Sequence, residues 1–363
     1  MAHGTTSWNS EVSSEIERLS GEVGSQAPAN AGTAVSPVDI QETLRAAKEY
    51  AKAARAPNTL RAYNSDIEDF STYCRVELGG ASVLPASAET VTLYITDMAT
   101  DKPIGRSLKI STIGRRLASI SAWHKREGFL SPTEDRLVRE TMKGIRRRKG
   151  SKKKQAAPLT VGVLTRVLKV IRTHDKKTGA VLPASLRDRA LLLMGFAGSF
   201  RREEISDLRV SDLEFFEGRG LVVEVGTSKT DAEGEGAVVG IPYGDHELTC
   251  PITAVNRWLE FSGKSGENHL FCRIDRHGNL KEGGISGDGI NDLVKKRVQH
   301  AGLDATRYSG HSLRAGLPTS ASEEKVGMEA WMPHTRHKSV KVAMGYARTG
   351  TLFTNNPASQ VGL

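Results

Sequence analysis

Nine residues divide this chain. From Arg146 to Lys154 (RRRKGSKKK) seven of nine side chains are basic, Gln155-Ala-Ala-Pro158 follows, and the sequence texture differs on the two sides. The segment 146–158 reads as a basic linker. It is either a solvated connection or one that lies along a phosphate backbone, where each neutralised phosphate releases counterions; a nuclear-targeting patch has the same appearance. Residues 1–36 show no sustained apolar period and read as a flexible tail. Residues 37–145 carry helical patterns over Val38–Ala54, from Asn58 with Leu60, Tyr63, Ile67, Phe70 and Tyr73 on one stripe, after Ser87, over Ser111–Glu127 and over roughly Thr133–Arg147. Beyond Leu159 the pattern is mixed. Helices over Thr160–Thr173 and Ser185–Ala197 precede two alternating strands, Leu221–Val225 and Ala237–Ile241, joined by the loop TSKTDAEGEG. A helix over Ile252–Phe261, a short strand over His269–Ile274 and further helices to about Tyr346 complete it. The expectation is a helical domain, a basic linker and a larger mixed domain over 159–350 with a small antiparallel sheet, an arrangement suited to clamping a rod.

Composition narrows the function classes. The chain has 363 residues, 38% of them hydrophobic, which suffices for two cores. Its longest apolar run, Ala190 to Gly198, is half what a bilayer span needs. The first 30 residues hold no apolar signal core, and Cys74, Cys250 and Cys272 are odd in number and widely spaced. Neither a disulfide framework nor a cysteine-rich zinc site is expected, and a reducing cytoplasm is. The formal net charge of +9 favours a polyanionic partner, without separating nucleic acid from a membrane surface.

Several chemistries lack their motifs. There is no GxxxxGK[ST] loop, no GxGxxG after a strand, no HExxH and no GxSxG. No acidic cluster fits a two-metal site, so a mechanism free of metal and nucleotide is favoured by elimination. Cationic groups remain. Arg201 and Glu204, three apart, suit one helix face, as an ordinary surface ion pair also would. Lys229 lies in the loop between the strands, where lysine commonly serves solubility. His311 and Arg314 in GHSLRAG share a helical face near a helix start. His337 in RHKS is followed nine residues later by Tyr346, a position where tyrosine often merely packs.

In this order the residues resemble the tyrosine recombinase (phage integrase) family, and within it the Cre type. That family's pattern is Arg-x-x-Glu, a hairpin Lys, His-x-x-Arg, a His or Trp, and then Tyr. The segment His269-Leu-Phe-Cys-Arg273, NTLRAY (58–63) and TIGRRLASISAWHKREG (112–128) also look like this family, and the resemblance covers roughly residues 38–363. It implies a mainly α fold with a small antiparallel β-sheet: a two-domain C-shaped clamp of a helical core-binding domain (37–145) and a mixed α/β catalytic domain (159–350). It implies a site-specific recombinase that needs no cofactor or metal and cuts DNA through a 3′-phosphotyrosyl link. Tyr346 would be the nucleophile and His311 its proton acceptor. Arg201 and Arg314 would hold the non-bridging oxygens with His337, Lys229 would be the general acid, and Glu204 would orient its neighbours.

The resemblance further implies DNA contacts from Arg61, Arg115 and Arg116 in the helical domain and from Lys295, Lys296 and Arg297 in the catalytic domain. The linker residues Arg146, Arg147, Arg148, Lys152 and Lys153 would add affinity without sequence information. The partner would be double-stranded DNA with paired sites, bound by a dimer per site and a homo-tetramer over two, in a bacterial or phage-type cytoplasm at the nucleoid and away from membranes. The tail 351–363 would dock on a neighbouring protomer or pack on its own. Two rivals stay open: type IB topoisomerase-like nicking and resealing, and a non-catalytic DNA-binding regulator. One position departs from the pattern. Arg336 stands where the family commonly has Gly, and would either crowd the site or add a phosphate contact.

Overall fold

The computed structural model describes residues 42–43, 45–47, 57–101, 105–150, 155–226 and 236–350. The expected tail over 1–36, most of the helix over Val38–Ala54, the linker lysines Lys152 and Lys153, the loop carrying Lys229, and the tail 351–363 lie outside the described residues. The chain divides after Lys153 into two compact units, inside the basic run.

The first unit is helical. Its helices are α1 (Pro57–Val76), α2 (Ala88–Ala99), α3 (Ile110–Arg126) and α4 (Arg136–Lys149), with a 3-10 turn at Pro132–Glu134. Two starts are set by side chains that satisfy the orphan N–H groups of a first turn. The Ser87 hydroxyl accepts from Thr90 N at 3.1 Å, and the Asp135 carboxylate accepts from Leu137 N at 2.7 Å. The apolar stripes then meet around Phe70, Tyr94, Ile95, Met98, Ile113, Ile120 and Met142. Phe70 and Tyr94 pack edge to face with centroids 5.0 Å apart. His124 is buried as a neutral brace: Nε2 accepts from Ala86 N at 2.9 Å while Nδ1 donates to Ile120 O. Arg146, Arg147 and Arg148 are exposed on the last turn of α4, not in a linker. Arginine and lysine are strong helix formers, and the helix ends only at Gly150, whose φ of 72° is left-handed.

The second unit holds the larger core. Helix α5 (Val161–Val170) leads to α6 (Pro183–Ala197), α7 (Arg202–Asp207) and an antiparallel sheet of β1 (Leu213–Phe216), β2 (Gly220–Val225) and β3 (Ala237–Pro242) in that order. Helix α8 (Pro251–Ser262), the hairpin β4 (Cys272–Ile274) and β5 (Leu280–Gly284), α9 (Gly287–His300), α10 (His311–Glu323), α11 (Met328–His334) and α12 (Val340–Gly350) follow. The sheet has one strand more than the sequence pattern indicated. β1 alternates poorly, and pairs with β2 through Leu213↔Val223 and Phe215↔Leu221. On β2 the period of two is clear: Leu221, Val223 and Val225 are buried. Helix α6 is buried over most of its length, with an apolar run from Ala190 to Gly195, which makes it the central element of this unit. Trp258 fixes the neighbouring α8 through an indole N–H to Leu270 O bond of 2.7 Å.

Arg297 corrects one expectation. It does not face outward with Lys295 and Lys296; it is buried, and its Nε donates to Asp188 Oδ2 at 2.7 Å. Asp188 Oδ1 also takes Arg187 Nε at 2.9 Å, and Arg187 Nη1 reaches Cys272 O. This buried pair of arginines around one carboxylate ties α6 to α9 and to the β4 hairpin. Removing the shared carboxylate leaves two buried charges unpaired. Asp188→Ala is therefore expected to lose about 3–5 kcal/mol of unfolding free energy in a urea titration; a loss under about 1 kcal/mol would show that the cluster is solvated.

Candidate active site

Of the seven residues singled out for chemistry, Arg201, His311 and Arg314 line one cleft of the second unit and Glu204, Tyr346 and His337 adjoin them, while Lys229 lies outside the described residues. The cleft measures about 320 Å³ and is lined by Arg201, Arg202, Glu203, Asn291, Ser309, Gly310, His311 and Arg314.

Local structure explains the placement. Arg201 immediately precedes α7, and Glu204 reaches back from the first turn to accept its backbone N–H at 2.8 Å. The same carboxylate takes Arg201 Nη1, so backbone and side chain of one arginine are held by one group. His311 opens α10 and Arg314 stands a turn later on the same face. Gly310 N donates to Asn291 Oδ1 at 3.3 Å, which anchors that helix start to α9. Close packing seats α10: a Cβ on Gly316 would lie 2.3 Å from Leu159 O, so the helix can approach the 157–160 segment only with glycine there. Arg314 is 3% exposed and donates to Ser199 O at 2.6 Å and Thr335 O at 2.7 Å. Each terminal nitrogen keeps a second N–H for a ligand. Tyr346 projects from α12, and its Oη lies 3.1 Å from His311 Nε2. The His337 ring packs against Tyr346 with centroids 5.2 Å apart, and its Nδ1 lies 2.6 Å from Thr335 Oγ1.

The electrostatics are those of a cationic cleft. Lost hydration lowers the pKa of His311, although the residue keeps contact with solvent, and the charges of Arg314 and Arg201 lower it further. Burial and the same two arginines bring His337 down to about 4. Arg314 itself falls to about 10, through burial and then the charge of Arg201. Burial raises Tyr346, with Arg314 and Arg201 opposing. Burial alone would also raise Glu204, but the Arg201 N–H, Arg336 and the Arg201 guanidinium hold it below the ordinary carboxylate range. Both histidines are thus neutral near pH 7. Among the described residues no group of His, Cys, Asp and Glu is arranged to hold a metal ion, and no helix is long and apolar enough to cross a membrane.

The residues marked for DNA contact divide sharply. Arg146, Arg147, Arg148, Lys295, Lys296 and Arg61 are exposed. Arg115 is half exposed but donates to Asp66 Oδ2 and to Ala62 O. Arg116 is turned inward, 14% exposed, and engages Asp69, Asp66 and the Tyr94 hydroxyl, so the expectation of a DNA contact there is corrected along with that for Arg297. Arg336 neither crowds the cleft nor points toward a substrate; it turns inward onto Glu204 at 2.8 Å. Ser199, Thr335 and Asn291, which orient the arginines and the helix start, carried no sequence signal, because their partners lie 19 to 115 residues away.

Known proteins share this site-bearing unit. The phage integrase family matches residues 159–351. The "Integrase/recombinase xerD homolog" of Selenomonas ruminantium is 35% identical over 318 residues, covering 87% of this chain and 88% of that relative. The "Recombinase cre" of Escherichia phage P1 is 23% identical over 82% of this chain and 85% of its own length. Among solved structures, a lambda integrase (75–356) dimer bound to a COC′ core site superposes with a TM-score of 0.54 at 17% identity, over 84% of this chain and 93% of that one. XerH recombinase in a post-cleavage complex with palindromic difH substrate also gives 0.54, at 15% identity over 99% and 97%. These two share the fold. The chain belongs to the phage integrase family and is a tyrosine recombinase.

Because His337 binds a proton less readily in the folded protein than at its ordinary value of 6.5, the unfolded chain holds the extra proton between pH 6.5 and about 4. Stability should therefore fall on acidification through that window. His337→Ala should lose less stability across it than the wild type. The ring's own titration, followed by NMR of its Cε1–H, should have a midpoint near 4; a midpoint above 6.5 would overturn the cationic-cleft description.

Proposed function

We propose that this chain cuts and rejoins DNA at paired sites, through transesterification at Tyr346. The observation that carries the reading is the 3.1 Å approach of His311 Nε2 to the Tyr346 hydroxyl beside two fixed guanidiniums. A phenol of raised pKa is a weak nucleophile, so its proton must leave as attack proceeds, and neutral His311 is placed to take it. Tyr346 Oη bonds to phosphorus as the bond to the 5′ oxygen breaks, leaving a 3′-phosphotyrosyl ester and a 5′-hydroxyl. Lys229 delivers the proton to the departing oxygen. Negative charge grows on the non-bridging oxygens, which Arg201 and Arg314 meet with preorganised donors. His337 donates to one of them from Nε2 when Nδ1 accepts the Thr335 hydroxyl proton. The covalent link conserves the phosphodiester, so a 5′-hydroxyl from a second strand reverses every step without an external energy source.

Duplex DNA is the polyanion that the charge pattern fits. Exposed Arg146–Arg148 at the end of α4 and Lys295–Lys296 on α9 contact phosphates, and Arg61 approaches the bases. Exchange between two sites needs four active sites, and the tail 351–363 links protomers by inserting Leu352, Phe353, Val361 and Leu363 into a neighbour. A groove of about 690 Å³ on the second unit, lined by Leu193, Phe196, Pro242, Leu317 and Trp331, supports that docking.

The direct test is a covalent trap. Protein in EDTA is mixed with nicked, labelled duplexes from the DNA flanking its own gene and run on a denaturing gel beside Tyr346→Phe. The expected result is an adduct on the 3′ side of the break that Tyr346→Phe abolishes. Recombination that persists in Tyr346→Phe would assign the chain to a non-catalytic role. A separate measurement concerns affinity. Replacing Arg146, Arg147 and Arg148 by Gln should weaken binding to all duplexes alike and reduce the slope of log K against log salt by about 0.9 for each phosphate that is no longer neutralised. An unchanged slope would remove these arginines from the interface.

A further inference from the structure

Arg336 occupies a backbone conformation that disfavours it. Its φ is 57°, in the left-handed region where a Cβ crowds the backbone and glycine is at ease. Nothing in the 334–337 turn itself requires a long cationic side chain; the reasons lie across the unit. The Arg336 side chain is 12% exposed and crosses the Phe200 ring, with its guanidinium carbon 5.2 Å from the centroid. Nη1 donates to Gly198 O and His334 O, each at 3.1 Å, and Nη2 donates to Glu204 Oε2 at 2.8 Å. The receiving turn is equally confined: a Cβ on Gly198 would lie 2.2 Å from the Phe200 ring. Glu204 Oε2 therefore serves two donors, the Arg336 guanidinium and the Arg201 backbone N–H, while Oε1 takes the Arg201 side chain.

We infer that Arg336 is a positioning residue for strand cleavage, acting through Glu204 to fix the Arg201 guanidinium. This rests on the transesterification reading above. The geometry gives the reason. A carboxylate held only by Arg201 could turn about its χ angles and carry that guanidinium with it. A second cation on the opposite side removes the rotation, and its carbonyl bonds to Gly198 and His334 tie the turn bearing Arg201 to the turn bearing His337. A purely packing role would need only the stem over Phe200. A purely structural turn would prefer glycine.

These alternatives separate experimentally. Single-turnover cleavage and DNA affinity are measured for wild type, Arg336→Met, Arg336→Lys and Arg336→Gly, with thermal unfolding of each. Arg336→Met keeps the stem and removes the charge, and should cleave about 10- to 100-fold more slowly while its Kd for DNA changes by less than about two-fold. Arg336→Lys should recover most of the rate. Arg336→Gly should be as slow as Arg336→Met, although it suits the backbone and keeps the fold. In a Glu204→Ala background, adding Arg336→Met should cost nothing further, because the path is already broken. Wild-type rates in Arg336→Met or Arg336→Gly, or an undiminished loss in the Glu204→Ala background, would overturn the inference and leave Tyr346 chemistry standing. A wild-type protein that forms no Tyr346 adduct on its own site would instead remove the reading on which it rests.

Discussion

The site is organised by like charges that the fold forces together. Arg201, Arg314 and Arg336 are drawn into one small region, and Glu204 is the buried carboxylate that Arg201 and Arg336 share. Two unit charges about 4 Å apart repel by about 4 kcal/mol at the effective dielectric of a protein surface. The consequences appear on every neighbour: Arg314 holds its proton less firmly, His337 falls to about 4, and His311 is neutral. On the proposed reading a phosphodiester would relieve this repulsion on binding, and the growth of charge during attack would relieve it more, so the transition state would be held more tightly than the substrate.

Holding that arrangement requires a stiff frame. Helix α6, buried over most of its length, leads to Ser199 and Arg201 at the cleft, while α10 brings His311 and Arg314. Four non-glycine residues among those described have positive φ, and two of them, Ser199 and Arg336, border the site. Each left-handed residue costs about 1–2 kcal/mol. Ser199 uses its conformation to present a carbonyl to Arg314 at 2.6 Å while its hydroxyl donates to Arg314 O at 2.8 Å. Strain is thus concentrated at the turns that aim the arginines, and the apolar core around α6 and α8 overrides it.

How far the sequence reveals this depends on the range of each interaction. His311 and Arg314 are legible because a three-residue spacing at a helix start puts them on one face. The strands around Lys229 are legible because β2 alternates cleanly, whereas β1 does not: Leu213-Glu-Phe-Phe216 presents no period of two. Arg297 was legible in principle. It falls on the stripe of Ile290, Leu293, Val294 and Val298, and that spacing outweighs the two lysines beside it. The helical state of Arg146–Lys149 was also available, from helix propensity and the stop at Gly150. Arg336 was not, since its partner is 132 residues away and its backbone angle has no counterpart in residue type.

Net charge is consequently a coarse guide to what such a chain binds. The excess of +9 counts every arginine alike. The fold sorts them by depth: Arg187 and Arg297 share Asp188, and Arg116 is committed to Asp66 and Asp69, so their charges are largely offset locally. A cancelled pair contributes little to the field beyond a Debye length of about 8–10 Å. The long-range positive field thus arises from exposed groups such as Arg146–Arg148 and Lys295–Lys296. On the proposed reading affinity and catalysis would be separable: the candidate duplex contacts stand on exposed helix faces, whereas Arg201 and Arg314 are withdrawn into the cleft, where they repel one another.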